Sequence, residues 1–201
     1  MTGVQTCALP ISIEPSPVNF QILTNNVESQ NTSNVMLYNI AAGEKDGNVR
    51  FLIYEGAGNS CMVIPDGTEP RWPGKLIDVS VRKMDSFLQE IGINKIDFVR
   101  MDVEGYEKNV LDGLKQTLQQ SKPIIHIEVH VNIMGKENTL SMFQNLKDLG
   151  YDVTAYVPRE IDTPIIGTMK DVRNYNMDKI MKMIQNNENP SFLMLTLENH
   201  G

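Results

Sequence analysis

The segment Ile96-Asp97-Phe98-Val99-Arg100-Met101-Asp102-Val103-Glu104-Gly105-Tyr106-Glu107 most constrains what this chain can fold into. An apolar run ends in two carboxylates and a glycine, and a helical pattern follows at once. Val110, Leu111, Leu114 and Leu118 mark one face of that helix. A buried parallel strand delivers acidic side chains to the carboxyl edge of a sheet in this way, and open α/β folds bind their ligands at that edge. Glu107 falls in the first helical turn, where a negative charge suits the helix dipole.

The remaining segments can be placed around this corner. A short apolar run enters Glu14-Pro15-Ser16-Pro17, whose prolines stop a strand and whose Ser16 caps a helix carrying Phe20, Leu23 and Val27. Glu14 is either a solvated turn residue or a carboxylate placed to accept hydrogen bonds from ribose hydroxyls. Val35 to Ala42 reads as one buried strand leaving through the turn-rich Gly43-Glu44-Lys45-Asp46-Gly47. Val49 to Tyr54 alternates like an antiparallel strand. Gly56 to Gly74 is irregular, contains Pro65, Pro70, Trp72 and Pro73, and has the length of a lid or binding loop. Within it Asn59 and Ser60 are either polar contacts for a ligand or parts of a plain surface turn. Leu76 to Val81 is extended, and Met84 to Ile91 is a short helix ended by Gly92.

After the corner, Pro123 to His130 reads as a strand. Period two puts His126, Glu128 and His130 on one face and Ile125, Ile127 and Val129 on the other. Leu140, Phe143, Leu146 and Leu149 form a helical stripe ended by Gly150. Tyr151 to Val157 is a strand, a helix lies around Met177 to Gln185, and Phe192 to Leu197 is a last strand paired as a hairpin with Tyr151 to Val157. Strands alternating with helical patterns indicate a parallel, doubly wound sheet. No strand running into a glycine-rich turn precedes Glu14.

Composition narrows the function. A chain of 201 residues with 41% hydrophobic and 21% charged residues builds one globular domain with a sizeable core. Lys plus Arg is 18 against 25 Asp plus Glu, a net charge of -7, which argues against a nucleic-acid partner. No apolar run reaches the roughly 20 residues that span a bilayer. Cys7 and Cys61 are too few for a disulfide framework and lack metal-ligand spacing, which favours a reducing, cytoplasmic setting.

The corner followed by Val110-Leu111-Asp112-Gly113 resembles the signature of FkbM-family methyltransferases: an apolar strand, a basic residue, Asp-Val-Glu-Gly, and a helix with Leu-x-Gly. Glu14-Pro15-Ser16-Pro17 resembles that family's Glu-Pro turn after its second strand. Tyr38-Asn39-Ile40-Ala41-Ala42-Gly43-Glu44 resembles its third-strand exit, Asn59-Ser60 its loop Asn-Ser, and Pro123 to His130 its Pro-x-x-x-x-Glu-x-His strand. The resemblance is collinear from Ile11 to Tyr156. It implies an S-adenosylmethionine-dependent O-methyltransferase acting on a hydroxyl of a sugar, glycolipid or natural product. The fold it implies is α/β, a Rossmann-like class I methyltransferase sheet, mostly parallel with an antiparallel C-terminal strand. Carried over residue by residue, it implies Glu14 at the cofactor ribose and Asn39, Ala41 and Ala42 near the adenine. Asp102 then lies between cofactor and acceptor, and Asn59, Ser60 and Glu104 lie on the acceptor side. Arg100 stands where Lys is more usual, a change that alters any specific contact of that side chain. The family's first strand, its Asp-x-Gly-x-Asn-x-Gly turn and the next helix have no counterpart here. Residues 1–12 are therefore expected to be an unrelated leader and 13–201 a partial methyltransferase domain.

Methyl transfer to a hydroxyl requires removal of its proton, and the candidate bases are Asp102, Glu128 and His130. An unperturbed histidine pKa of roughly 6.5 suits a base near neutral pH. Asp102, Glu128, His126 and His130 are also possible metal ligands. Side chains two apart on a strand stand some 6–7 Å apart, wide for one ion, and strand histidines are more often simply hydrogen-bonded, so no metal is assigned. His126, deeper in the strand, reads as structural. Two other classes remain. A nicotinamide-dependent oxidoreductase also carries an acid after its second strand, but the Asp-Val-Glu-Gly corner argues against it. A non-catalytic partial domain would leave strand edges unpaired.

Overall fold

The computed structural model describes residues 9–54, 61–65, 67–159, 175–188 and 192–200. Asn59, Ser60 and Cys7 lie outside them. β1 (Ile11–Ile13) pairs in parallel with β2 (Met36–Tyr38), with Ile13 opposite Tyr38. Between them α1 (Pro17–Ser29) starts as its sequence dictates. Ser16 Oγ accepts from the Asn19 backbone N–H at 3.3 Å, and Pro17 occupies the first helical position. The helix buries none of its residues, and Val18 and Ile22 are exposed.

The strand expected over Val35 to Ala42 is two strands. The chain leaves β2 after Tyr38, and β3 (Ala41–Gly43) joins a different sheet of order β3-β6-β4-β5. There β4 (Gly47–Tyr54) runs antiparallel to β5 (Cys61–Ile64) and to β6 (Gly74–Lys83), while β3 runs parallel to β6. β5 falls inside the segment read as an irregular loop. Ala41, Phe51, Val79 and Val81 form this sheet's own small core.

The third sheet carries the corner, and its order is β7-β8-β10-β9. β7 (Phe98–Met101) is parallel to β8 (Ile124–Val129), and β10 (Phe192–Asn199) is antiparallel to both β8 and β9 (Tyr151–Arg159). The expected pairing of the last two strands therefore holds. Six helices pack around this sheet or beside it: α2 (Met84–Glu90), α3 (Glu107–Gly113), α4 (Lys115–Ser121), α5 (Val131–Met134), α6 (Lys136–Asp148) and α7 (Met177–Gln185). Val110, Leu111, Leu114 and Leu118 are all buried, as a single stripe requires, although the helix that carries them breaks at Leu114. Each such side chain removed from water stabilises the fold by about 1.5–3 kcal/mol. Ile11, Ile13 and Tyr38 pack partly against the same cluster as Met101 and Ile127, which joins the two-stranded sheet to the main core.

The molecule is a mixed α/β fold. In the third sheet β7, β8 and β9 run in one direction and the C-terminal strand β10 runs against them, which matches the expected arrangement, whereas the sheet β3-β6-β4-β5 is largely antiparallel. β4, β5 and β6 follow one another without an intervening helix, and a parallel pairing needs a crossover that they lack. Among the described residues no helix is long and apolar enough to cross a membrane.

Candidate active site

The register Arg100↔His126 and Met101↔Ile127 brings the exits of β7 and β8 side by side. Asp102 leaves the first strand as Glu128 nears the end of the second. Beyond β7 the chain turns back through Glu104 and Gly105, both in the left-handed region at φ +51° and +95°. For a glutamate that backbone costs on the order of 1–3 kcal/mol, and such outliers concentrate at functional sites. Gly105 has a further constraint: a Cβ there would stand 2.4 Å from Ile133 Cγ2. The turn aims the Glu104 carboxylate at His130 and opens α3 with Glu107.

His130 follows β8 directly and is 2% exposed. Its ring lies against Phe192 of β10, with centroids 5.0 Å apart and planes at 76°. Nδ1 is 2.7 Å from Glu107 Oε1, which also accepts from the Gly105 backbone N–H at 2.9 Å. Nε2 faces Glu104 Oε2 at 3.3 Å, Asp102 Oδ1 at 3.8 Å and Glu128 Oε1 at 3.9 Å. Burial pulls the His130 pKa down, but the Glu107 hydrogen bond and the charges of Glu107, Glu104 and Asp102 outweigh it, and the pKa lies above the ordinary histidine value. Glu104 is also raised, chiefly by burial; the His130 charge opposes the rise, and Asp102, Glu128 and Glu107 add to it. Ligand atoms of Asp102, Glu104 and His130 lie within 4.8 Å of one another, close enough to share a cation. A proton on His130 balances the same charges.

The structure thus gathers Asp102, Glu104, Glu128 and His130 at one point. His126 is elsewhere, its Nδ1 3.2 Å from Thr196 Oγ1 on β10, which matches a structural role. Glu14 and Asn39 form a second group at the exits of β1 and β2. The Asn39 side-chain amide donates to the Glu14 and Pro15 carbonyls at 2.8 and 3.2 Å, pinning the turn. Glu14 Oε1 accepts from the Ser16 N–H at 2.7 Å; burial raises its pKa against that hydrogen bond, and no cation pairs with it among the described residues. Ala42 is half-buried, whereas Ala41 is 3% exposed and its side chain is taken up by the core with Phe51, Val79 and Val81. Sequence reasoning missed Glu107 as part of the site. Its position three residues after Glu104, at the start of the helix that follows the acidic corner, was the available signal.

Sequence comparison places this α/β chain among methyltransferases. Residues 4–153 match the Methyltransferase FkbM domain, and the chain belongs to that family. It is 29% identical over 119 residues to Methyltransferase 1 of Beauveria bassiana, covering 52% of this chain and 48% of that protein. It is 29% identical over 98 residues to the 2-O-methyltransferase NoeI of Sinorhizobium fredii, covering 43% and 40%. The matches thus span about half or less of these relatives' length. The crystal structure of Methyltransferase FkbM from Methylobacillus flagellatus KT superposes with a TM-score of 0.47 at 20% identity, over 72% of this chain and 32% of that one.

Proposed function

We propose that the full-length protein is an S-adenosylmethionine-dependent O-methyltransferase acting on a hydroxyl of a sugar, glycolipid or other natural product. The observation that carries this reading is the buried His130 ring, with Nε2 turned toward three carboxylates where β7 and β8 end. The 2-O-methyltransferase relative supports oxygen as the acceptor atom. The two-stranded sheet β2-β1 and the sheet β7-β8-β10-β9 fit the two halves of a Rossmann-like class I methyltransferase sheet. The strand between β1 and β7 is not supplied by the described residues.

The chain's residues suit the methyl donor. Glu14 is a partly desolvated carboxylate with no cationic partner among the described residues, and its second oxygen is the one offered to ribose hydroxyls. Asn39 holds that turn in place. S-adenosylmethionine, when bound, supplies a methyl group on a sulfonium. Around the acceptor, Asp102 and Glu104 accept hydrogen bonds from its hydroxyls and orient it, while His130 Nε2 takes the proton of the reacting hydroxyl. Glu128, 3.9 Å from Nε2, stabilises the imidazolium that results. Positioning of this kind is worth up to roughly 7–11 kcal/mol, and general-base help about 10²–10⁴-fold.

The test is to incubate full-length protein with methyl-labelled S-adenosylmethionine and a panel of sugars and glycolipids. Label recovered as a methyl ether is the expected result. Failure of the full-length protein to bind S-adenosylmethionine in calorimetry would sink the reading.

A further inference from the structure

Glu107 is 0% exposed, a carboxylate sealed inside the fold. Such a charge is costly to bury without partners. Its Oε1 has two, the Gly105 N–H and His130 Nδ1, while its Oε2 has none. No lysine or arginine pairs with it among the described residues, so the only side chain that meets its charge is His130. The other groups facing that imidazole are Asp102 and Glu104 from the turn after β7, Glu128 from β8, and the Phe192 ring from β10. An ionised carboxylate only accepts hydrogen bonds, so the N–H of a neutral His130 sits on Nδ1.

We propose that Glu107 is a positioning residue whose buried carboxylate holds His130 in the Nδ1–H tautomer and so turns the Nε2 lone pair toward the acceptor hydroxyl. This rests on the reading of His130 as the base. Glu107 touches neither donor nor acceptor; it acts through the ring. It also makes the ring a stronger proton acceptor, because the imidazolium formed on proton transfer stays paired with a fixed negative charge.

The experiment compares Glu107→Gln, Glu107→Asp and His130→Gln in the full-length protein by steady-state methyl transfer across pH. Glu107→Gln can still accept from Nδ1 but has lost the charge. Its kcat is expected to fall at least about tenfold with KM values for donor and acceptor within about twofold. The acid limb of its pH–rate profile moves to lower pH, and Glu107→Asp moves the limb back. A Glu107→Gln profile superimposable on wild type overturns the proposal if His130→Gln is inactive. If His130→Gln is fully active, the base reading itself fails. Should Glu107→Gln not fold, ¹⁵N chemical shifts of His130 in the unmodified protein decide: a protonated Nδ1 with a bare Nε2 at high pH supports the proposal, and the opposite tautomer overturns it.

Discussion

Gly113 meets Gly43 backbone to backbone: a Cβ built on Gly113 would stand 1.9 Å from the Gly43 carbonyl oxygen. This is where α3, the helix that opens with Glu107, crosses β3. Because the obstacle is backbone, no rotamer change relieves it. Gly113→Ala is expected to lower the unfolding free energy by about 1–3 kcal/mol, the range of overpacked sites, as measured by urea denaturation. An unchanged midpoint would mean that α3 does not dock as closely as described.

Asp85 of α2 does for α4 what no local residue does. Its two oxygens accept from the Gln116 and Thr117 backbone N–H groups, each at 2.9 Å, and from Thr117 Oγ1 at 2.8 Å. The residue preceding α4, Leu114, has no capping side chain. Asp85→Ala is therefore predicted to cost about 0.5–2 kcal/mol, like the loss of an N-cap, whereas Asp97→Ala, at an exposed surface pair, stays near neutral. Thermal denaturation of both variants checks the contrast.

The His130 pKa is raised in the folded protein, so its contribution to stability has a definite sign. The contribution is fully present below the unfolded pKa of roughly 6.5 and is lost as pH rises through the higher folded value. Unfolding free energy measured from about pH 6 upward should show this decline, and His130→Gln should flatten it. A wild-type curve that rises over the same window would contradict the charge arrangement around the ring.

Much of this was legible in the residues, for physical reasons that can be named. Ser16 and Pro17 announced α1, the apolar residues leading into Asp102 announced β7, and alternation of Ile125, Ile127 and Val129 with His126 and Glu128 announced β8. Met177–Gln185 was found at its observed bounds because its apolar positions recur at helical spacing. Other features depended on tertiary contacts that no local pattern encodes. Val35 to Ala42 is apolar almost throughout, so nothing marked the switch from β2 to β3. β5 is four residues among prolines and glycines, and only its pairing with β4 makes it a strand. Period two put His126 and His130 on one face, yet one meets Thr196 and the other the acidic corner, because His130 lies just past the end of β8. Glu107 read as a companion of the helix dipole since its partner is 23 residues further on.

Glu14 is predicted to hold the methyl donor through its ribose. Glu14→Ala in the full-length protein should weaken S-adenosylmethionine binding by about 10- to 100-fold, the loss of hydrogen bonds to a charged group. Asn39→Ala should produce a smaller effect, since it acts only by pinning the turn. Isothermal titration calorimetry with the donor alone separates these outcomes from any change in turnover.

The central claim, that the acidic corner around His130 carries out methyl transfer, is tested most directly by the turnover of His130→Gln in the full-length protein with donor and acceptor saturating. The account predicts a loss of kcat of about 10²–10⁴-fold, the contribution of a general base, with donor affinity retained. Turnover within about threefold of wild type, the acceptor still methylated on oxygen, would contradict it.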